Sequence, residues 1–394
     1  MTTPRDRAKA IFAAGVAAAD PTLAVQKHIG DVTETPALIL AVGKAAGAMV
    51  GPAMARFPQA QALVVTNYEN VKDITGATVY AAGHPVPDAA GADAARAVMA
   101  ALAATKGPVL ALISGGGSAL LPAPVAGVSL ADKAALNALL LGAGLDIVAM
   151  NLVRQQVSQL KGGGLLRQAK GPLTALILSD VVGDDLSAIA SGPTVAPLGT
   201  SKDARNILKD SGIWQKVPAS IQAHLQADVA PPPLPEARNI LIGSNRQSVA
   251  EMAEKTPDAK VLRDAVEGDV ADAAKLICDQ AGPGVTLWGG ETTVVLKGDG
   301  RGGRNQELAL RIALEAQARG WEKFTCLQGG TDGRDGPTDA AGGLVDQGTL
   351  GRITDLDARL ANNDSYAALE QAGDLLMWGA TGTNVADLGV LIRE

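Results

Sequence analysis

The chain has 394 residues, 47% of them hydrophobic and 19% charged, with a formal net charge of −7 and only 3% aromatic residues. This length exceeds what one hydrophobic core usually organises, so two domains are expected. The acidic balance and the scarcity of aromatic stacking surfaces argue against a nucleic-acid-binding protein.

The numbers of cysteines and histidines, together with the apolar segments, indicate the cellular compartment. With two cysteines, Cys278 and Cys326, and three histidines, the chain lacks the material for a disulfide framework or a zinc site. The N-terminal segment has no apolar signal-peptide core, and the longest apolar stretch, 134–150, is interrupted by Asn137 and Asp146. We therefore expect a cytoplasmic protein that does not cross a membrane.

Short apolar runs alternate with helical patterns from the start, which predicts βαβ units and a mostly parallel sheet. The first run, 37–42, leads directly into Gly43 and Lys44. Four further runs complete a predicted five-strand sheet, at 62–66, 78–81, 109–113 and 173–178. Within 129–169, helical spacing with Ser129 as N-cap predicts two helices separated near 142–144.

A proline-rich segment, 230–235, marks the predicted domain boundary, because consecutive prolines neither donate to a sheet nor continue a helix. The predicted domains are therefore residues 1–235 and 236–394. Alternation resumes beyond the boundary, with predicted strands at 239–243, 285–288, 293–296, 324–327 and 375–379. A helix is predicted over 307–318, with Asn305 as its N-cap.

Three of the predicted strands stop at glycines that are followed at once by polar residues. They are the strands at 109–113, 285–288 and 324–327. Ligands bind beyond the carboxyl ends of such strands, and glycine lets backbone N–H groups approach an anion closely. This repeated arrangement predicts a phosphate-binding cleft built from several strand ends.

The N-terminal half holds the first candidate site residues. The loop Ser114, Gly115, Gly116, Gly117 and Ser118 is interpreted as a cradle for phosphate or an oxyanion, with a tight turn as the alternative. Lys44 would add an ammonium group, although lysine there is often merely exposed. Asp180 would orient a hydroxyl or hold Mg²⁺. Asp184, with Asp185, is either a metal ligand or an ordinary loop charge.

The C-terminal half adds a cation and several carboxylates. Arg304, after a glycine-rich loop and before a helix, would grip phosphate or carboxylate, with a structural salt bridge as the alternative. Asp332 and Glu291 are candidates for Mg²⁺ or hydroxyl recognition, or simply turn residues. His84 is followed by two prolines, Pro85 and Pro87, and is interpreted as part of a structural turn.

Two familiar nucleotide motifs are absent from the sequence. There is no G-x-x-x-x-G-K-[ST] phosphate loop, and the first strand leads into Gly43-Lys44-Ala45-Ala46-Gly47 instead of G-x-G-x-x-G. A kinase of this sequence must therefore use a different phosphate site.

Taken together, the motifs resemble the glycerate 2-kinase family with a C-terminal MOFRL domain. The matching segments run in order along nearly the whole chain: Ala41-Val42-Gly43-Lys44-Ala45, Gly83-His84-Pro85, Ser114-Gly115-Gly116-Gly117-Ser118-Ala119, Leu178-Ser179-Asp180-Val181, Ala190-Ser191-Gly192-Pro193-Thr194, Gly289-Gly290-Glu291-Thr292-Thr293, Gly302-Gly303-Arg304-Asn305-Gln306-Glu307, Gly330-Thr331-Asp332-Gly333 and Thr381-Gly382-Thr383-Asn384. So ordered a set is far more specific than any one motif.

The resemblance implies an α/β fold: an N-terminal Rossmann-like domain with a mostly parallel sheet, facing a smaller C-terminal α/β (MOFRL) domain across a cleft. It also implies ATP- and Mg²⁺-dependent phosphorylation of D-glycerate at its 2-hydroxyl. The family's lysine and arginine associated with activity fall on Lys44 and Arg304. Asp180 completes the predicted catalytic set.

Binding roles are predicted for Ser114, Gly115, Gly116, Gly117, Ser118, Glu291, Asn305 and Asp332, and a metal role for Asp184. Some relatives are named hydroxypyruvate reductase, so an NAD(P)H-dependent reductase is the alternative, against which the missing dinucleotide fingerprint counts. A non-catalytic metabolite-binding protein is the third hypothesis. The assembly state is left open, with a homodimer as one alternative.

Overall fold

The computed structural model describes residues 3–227 and 232–394, which divide into two units. One, here called the parallel-sheet unit, contains residues 24–179 and the described part of 184–242. The other, here called the mixed-sheet unit, contains the described part of 1–23 together with 180–183 and 243–394. The predicted boundary between residues 235 and 236 remains a proposal, and Ala230 and Pro231 of the predicted linker lie outside the described residues.

The chain begins with two helices, α1 (Pro4–Ala18) and α2 (Pro21–His28). Thr3 caps α1 by accepting a hydrogen bond from the Asp6 N–H, and a proline suits the first helical position because its missing N–H is not needed there. Among the described helices, none alone has the length and apolar composition needed to cross a membrane. A bent pair, Pro4–Ala18 with Pro21–Asp31, meets those two criteria together.

Six parallel strands form the sheet of the parallel-sheet unit. In spatial order they are β3 (Ala77–Ala82), β2 (Gln61–Asn67), β1 (Leu38–Val42), β4 (Val109–Ile113), β5 (Leu173–Leu178) and β6 (Ala237–Gly243). Every residue of β1 and β4 is buried, as expected where helices cover both faces of a parallel sheet. The predicted α/β class and the five predicted strands are confirmed.

The order of the strands reverses at β1, whose two neighbours, β2 and β4, lead to opposite edges of the sheet. Leu38 pairs in parallel register with Gln61 on one side and with Val109 on the other. The carboxyl ends of β1 and β4 therefore form a topological switch point, the place where ligands bind in open α/β sheets.

The sixth strand corrects one prediction. We predicted a strand at 239–243 as the start of the C-terminal domain, whereas the observed β6 joins the edge of the parallel sheet beside β5. An apolar run predicts a strand but carries no information on which sheet the strand joins. The proline-rich segment before it therefore does not separate the two sheets.

Helices connect these strands, and several of them pack together around a small hydrophobic core of their own. They are α3 (Ala46–Arg56), α4 (Ala89–Ala104), α5 (Gly117–Leu120), α6 (Leu130–Gly142), α7 (Ile147–Gln156), α8 (Gly164–Gln168), α9 (Ser201–Asp210) and α10 (Ala219–Ala227). Ser129 and Asp132 form a capping box at the start of α6, and the chain breaks between α6 and α7 as predicted. Leu136, Val153 and Ile221 belong to the core that these helices share.

The mixed-sheet unit is built around a seven-stranded sheet. Its strands are β7 (Lys260–Val261), β8 (Val266–Asp269), β9 (Gly284–Thr293), β10 (Phe324–Gly330), β11 (Gly342–Asp346), β12 (Leu375–Leu376) and β13 (Asp387–Arg393), ordered β12-β11-β10-β13-β9-β7 with β8 also paired to β9. β13 is antiparallel to both β9 and β10. The carboxyl ends of β9 and β10 therefore lie at the same edge, beside Asp387 at the start of β13.

Several strand predictions in this unit were wrong. The strands β9 and β10 run on through their glycine pairs instead of stopping there, no strand forms at 293–296 beyond the end of β9, and the strand predicted at 375–379 is only two residues long. A Cβ added at Gly290 would lie 2.0 Å from the carbonyl oxygen of Val266, so this glycine permits close strand pairing. Neither β11 nor β13 was predicted.

Helices cover both faces of the mixed sheet. Besides α1 they are α11 (Asn245–Glu254), α12 (Val270–Gln280), α13 (Arg304–Ala318), α14 (Leu356–Ala361) and α15 (Ser365–Ala372). Phe12 of α1 and Met252 of α11 pack with Leu388 on one face, while α12 and α13 pack on a separate core that includes Trp288. The N-terminal helix thus stabilises the C-terminal sheet.

Candidate active site

The switch point of the parallel sheet joins two of the predicted site segments. Gly43 has a φ of 125°, and a Cβ there would lie 2.2 Å from the Ser114 hydroxyl oxygen, so only glycine lets the two turns approach. The Lys44 N–H donates to the Gly115 carbonyl at 2.9 Å, and the Ala45 N–H donates to Ser114 Oγ at 3.1 Å. The structure therefore brings Lys44 and the glycine loop together.

The glycine loop presents backbone donors. Across the described part of the chain, the N–H groups of Gly115, Gly116, Gly117 and Ser118 have no protein acceptor, although the Gly116 carbonyl accepts from Ala119. Gly116 has a φ of 86°, in the left-handed region that favours glycine. Four successive donors without acceptors are the arrangement that a phosphate or carboxylate group needs.

His84 lies against the same loop. A Cβ added at Gly116 would lie 3.1 Å from Cγ of Lys44 and 3.3 Å from Cδ2 of His84, so both side chains flank this glycine. Burial, and next the charge of Lys44, lower the pKa of His84, while Glu69 opposes them. We predicted only a structural turn here. The signal that we missed is the position of His84 immediately beyond β3, at the same edge as Lys44.

Lys161 is a second residue that sequence reasoning missed. Its ammonium donates to the Ser118 carbonyl at 2.6 Å and to Ser118 Oγ at 2.7 Å, and Ser118 Oγ lies 2.9 Å from Ser191 Oγ. Burial, followed by the charges of Lys133 and Arg154, lowers the pKa of Lys161 well below its usual value. The available signal was a second glycine triplet at 162–164, directly after the lysine.

The two predicted aspartates beyond β5 fall in different units. Asp180 is the second residue after the strand, and its segment, 180–183, groups with the mixed-sheet unit, whereas Asp184 groups with the parallel-sheet unit. Asp184 has a φ of 57°, and it is Asp185 that forms the local turn by accepting from the Ser187 N–H at 2.8 Å. No group of three or more metal-ligand side chains is found within residues 3–227 and 232–394.

In the mixed-sheet unit, Arg304 is held between two carboxylates. Its Nε donates to Asp387 at 2.7 Å and its Nη2 to the other oxygen of Asp387 at 3.2 Å, while Nη1 donates to Glu291 at 2.9 Å. Burial lowers the pKa of Arg304, but the hydrogen bond and the charge of Asp387 together raise it by more than burial lowers it. The net shift of the pKa is therefore upward. The guanidinium is thus charged, oriented, and one-third exposed at 33%.

Asn305 does not cap its helix, which corrects that prediction. Helix α13 starts at Arg304 with Gly303 as N-cap, and the Asp335 carboxylate accepts from the Asn305 and Gln306 N–H groups at 3.1 and 2.8 Å. A Cβ at Gly303 would lie 2.3 Å from Cγ of Asp335. The cap comes from a residue distant in sequence, which local spacing cannot reveal.

The Asn305 side chain belongs to a buried network instead. It donates to Asp387 at 3.0 Å and to Asp335 at 3.2 Å, and it accepts from Gln328 at 2.6 Å. Burial raises the pKa of Asp335 to about 6, with the charge of Asp387 acting in the same direction. Burial also raises the pKa of Asp387, although Arg304 opposes it. Asn305 therefore helps to hold two desolvated carboxylates in place.

The remaining two candidates lie at the same edge of the mixed sheet. Glu291, on β9, pairs with Arg304 and keeps a side chain that is 43% exposed. Asp332 follows β10, where its Oδ1 accepts from the Arg334 N–H at 2.9 Å in a local turn. A Cβ at Gly330 would lie 3.2 Å from that oxygen and 3.6 Å from Asn305 Nδ2, so Asp332 lies near the buried network.

Comparisons with known proteins place this geometry in a family. Residues 7–226 match the family model described as a domain of unknown function, DUF4147, and residues 284–387 match the MOFRL family. A "Glycerate 2-kinase" of Pyrococcus horikoshii is 38% identical, over 90% of this chain and 86% of that protein. A "D-glycerate 2-kinase" of Thermotoga maritima is 37% identical, over 93% of each.

Two further proteins are similar to this chain. A protein of Agrobacterium vitis, named provisionally as a hydroxypyruvate reductase, is 38% identical over 97% of this chain and 93% of its own. The crystal structure of the Thermotoga maritima glycerate kinase superposes with a TM-score of 0.92, 35% identity and 99% coverage of both chains. The chain therefore belongs to the glycerate 2-kinase family, which joins a DUF4147 segment to a C-terminal MOFRL segment.

Proposed function

We propose that this protein is an ATP-dependent kinase that phosphorylates D-glycerate at the 2-hydroxyl, giving 2-phosphoglycerate and ADP. The proposal is carried by one observation: the run of N–H groups from Gly115 to Ser118 that lack acceptors, beside Lys44 at the switch point of a parallel sheet. Such donors bind phosphate without a P-loop. The names of the Pyrococcus and Thermotoga relatives support glycerate as the acceptor.

Phosphoryl transfer depends mainly on positioning and charge neutralisation. The 2-hydroxyl oxygen forms a bond to the γ-phosphorus, the bond to ADP breaks, and the hydroxyl proton leaves. We assign Lys44 and the glycine loop to the phosphate charge, and Asp180 to orienting the hydroxyl and accepting its proton. Arg304 then binds the substrate carboxylate or the moving phosphoryl group.

The ion pairs of Arg304 suggest how it meets a ligand. Asp387 is almost fully buried, with 4% of its side chain exposed, and holds the guanidinium at two nitrogens, whereas Glu291 is 43% exposed and holds one. We propose that an incoming anion replaces Glu291 while Asp387 keeps the guanidinium oriented. Asn305 acts through Asp387 as a positioning residue, and Asp332 is retained as a candidate for hydroxyl recognition.

Magnesium enters a kinase mainly on the phosphates of ATP and needs only one or two protein carboxylates. Asp180 and Asp184 offer such oxygen ligands in the loop after β5. Since no larger ligand group is found within the described residues, most ligands would be phosphate and water oxygens. The ion would neutralise charge on the transferring phosphoryl group.

Product identification tests the proposed reaction. Purified protein is incubated with ATP, Mg²⁺ and either D- or L-glycerate, and ³¹P and ¹³C NMR identify the phosphorylated carbon. We expect 2-phosphoglycerate from the D-isomer, with ADP in equal amount. Phosphorylation at the 3-hydroxyl, or none with either isomer, would refute the proposal.

The alternative activity is reduction of hydroxypyruvate, favoured by the name of the Agrobacterium relative. It requires a dinucleotide site, and the β1 turn does not have the G-x-G-x-x-G spacing. Mixing the protein with hydroxypyruvate and NADH or NADPH, and following the cofactor absorbance, distinguishes the two activities.

The proposal also includes the cellular setting. Cys278 and Cys326 are buried free thiols, as expected of a protein in a reducing cytoplasm. Size-exclusion chromatography with light scattering would distinguish a monomer from the homodimer considered above.

A further inference from the structure

Lys161, which contacts the glycine loop, and two basic side chains whose charges act on it, Lys133 and Arg154, have no acidic partner among the described residues. Within the described residues, Lys133 donates to the Val157 carbonyl at 3.1 Å, Arg154 donates to Asn137, and Lys161 donates to the two oxygens of Ser118. All of these acceptors are neutral. Of the three, Lys161 is buried, and it lacks the negative charge of a carboxylate that normally accompanies a buried cation.

This arrangement is unfavourable for the protein alone. Lys161 is only 5% exposed, and beside its side chain lies a cavity of about 20 Å³ lined by apolar residues such as Val42, Leu160 and Leu165. Removing an ammonium group from water without a countercharge costs free energy, and the positive charges of Lys133 and Arg154 add repulsion. If this side chain contributed only to folding, an apolar residue here would give a more stable protein.

The groups around Lys161 are arranged as a binding site. Ser118, its acceptor, is the last residue of the loop whose four N–H groups lack acceptors. Ser191, hydrogen-bonded to Ser118, has a φ of 61°, and its neighbours Ala190 and Gly192 have φ values of 48° and 66°. A run of left-handed residues in which two carry side chains is strained, and such strain is typical of functional sites.

We propose that Lys161 and the N–H groups of Gly115 to Ser118 together form the subsite that binds the polyphosphate chain of the nucleotide, with Lys133 and Arg154 strengthening its positive potential. The inference rests on the proposed function and deepens it. The phosphate oxygens supply the countercharge that the protein lacks, so the cation cluster is balanced only when nucleotide is bound. Lys44 is then left for the transferring phosphoryl group.

A purely structural role for Lys161 predicts a different result from a binding role. If Lys161 only tethers the loop, Lys161→Met lowers the melting temperature. If Lys161 is there for a ligand, the apolar replacement leaves the melting temperature of the unliganded protein unchanged or raises it, while affinity for anions falls.

Isothermal titration calorimetry of the full chain with inorganic pyrophosphate and with ADP tests this. We expect Lys161→Met to weaken binding of both by at least about tenfold, corresponding to the loss of one charge-assisted contact. Lys106→Met is the matched control, because Lys106 is exposed and lies just before the amino end of β4, away from the loop. Unchanged pyrophosphate affinity in Lys161→Met would overturn the inference.

A second measurement decides the case in which Lys161→Met is also less stable. Binding of an anion raises the pKa of Lys161, so the affinity of wild-type protein for ADP should fall more steeply between about pH 7.5 and about pH 10 than the affinity of Lys161→Met does, in a range where the phosphate itself is fully ionised. Calorimetry at several pH values in this range measures the difference. A steeper fall in the wild type supports the inference, and parallel behaviour of the two proteins refutes it.

The glycerate-dependent release of ADP is measured in parallel. Wild-type turnover together with unchanged binding of pyrophosphate and ADP in Lys161→Met would reject this subsite and leave the proposed function intact. Lys161-dependent ADP binding without any turnover of glycerate would reject the proposed function and leave the subsite intact.

Discussion

Arg304 shows why a single residue type does not define a role. The sequence left two interpretations open, an anion-gripping arginine and a salt-bridging one, and the structure has the guanidinium fully engaged by Asp387 and Glu291. These contacts orient the side chain and leave its charge intact. This pair of partners allows a ligand anion to replace one carboxylate, because only the exposed Glu291 must move while the buried Asp387 stays in place.

Replacement of Arg304 tests its role directly. Arg304→Ala should lower kcat/KM about 30-fold or more, equivalent to ~2 kcal/mol of transition-state stabilisation. Arg304→Lys should recover little of this loss, because a lysine cannot engage Asp387 at two nitrogens and a ligand at a third. Steady-state kinetics with glycerate and ATP measure the effect.

The control is an arginine at the opposite end of α13. Arg319, just beyond the other end of α13, pairs with Glu315 and Asp279, and Arg319→Ala should leave kcat/KM near the wild-type value. Near-wild-type turnover in Arg304→Ala would reject the assignment.

At the scale of elements, the strands of the parallel sheet were predictable, whereas the mixed sheet was predicted only in part: the runs at 285–288 and 324–327 lie within β9 and β10, but β11 and β13 were missed. β1 and β4 are continuous apolar runs that are buried throughout, and this pattern is visible in the sequence. β11 begins with two glycines, and β13 begins with Asp387 and contains Gly389. Glycine and aspartate are poor strand formers, so they interrupt the apolar pattern of these segments and tertiary pairing is needed to define them as strands.

Residues of the candidate site that are defined by tertiary contacts were also missed from the sequence. Lys44, Arg304 and the glycine loop could be proposed because each follows a strand or precedes a helix. Asp335 and Asp387 could not, because their partner Asn305 is 30 and 82 residues away. Long-range partners leave no periodic signal in one sequence.

Gly116 provides a test of the glycine loop as an element. Gly116→Ala should lower activity at least about tenfold, because a methyl group there forces Lys44 and His84 away and strains a φ of 86°. Gly127→Ala is the matched control, since Gly127 has a φ of 80° and open space around it. Both variants should lose stability by about 1 kcal/mol.

Kinetics and denaturant unfolding together separate the two effects. If Gly127→Ala loses as much activity as Gly116→Ala, backbone strain alone explains the result and the loop has no special role.

The cap of α13 predicts a pH dependence of stability. The pKa of Asp335 is raised to about 6 in the folded protein, above its ordinary value of 3.8. The folded state therefore binds a proton more tightly than the unfolded state, and this contribution is present below about pH 4 and lost as the pH rises through 6. It amounts to at most roughly 3 kcal/mol, from a shift of about two pKa units.

Asp335→Asn removes this titration. Urea unfolding at about pH 4 and about pH 7 should show that wild type loses more stability over this interval than the variant does. An identical loss in both proteins would show that Asp335 does not titrate in this range.

At the scale of the whole molecule, a net charge of −7 opposes the binding of an anionic nucleotide. Local groups must therefore create a positive electrostatic potential where the nucleotide binds. The parallel-sheet unit contains such groups: Lys44, the cluster of Lys133, Arg154 and Lys161, and the N–H groups of the glycine loop. The mixed-sheet unit has the opposite character, since Arg304 is surrounded by Glu291, Asp335 and Asp387. We infer that nucleotide phosphates depend on the first unit and on a metal ion.

Metal removal tests this dependence. Chelation with EDTA should abolish glycerate-dependent ADP release, and added Mg²⁺ should restore it, because phosphate charge is otherwise neutralised only in part.

Asp184→Asn should raise the half-saturating Mg²⁺ concentration about tenfold, the effect of losing one carboxylate ligand. Asparagine tolerates the φ of 57° at this position, so the backbone should not change. Asp185→Asn is the control, because Asp185 bonds Ser187 in a local turn. An equal Mg²⁺ requirement in Asp184→Asn and wild type would remove Asp184 from the metal site and leave Asp180 as its remaining carboxylate.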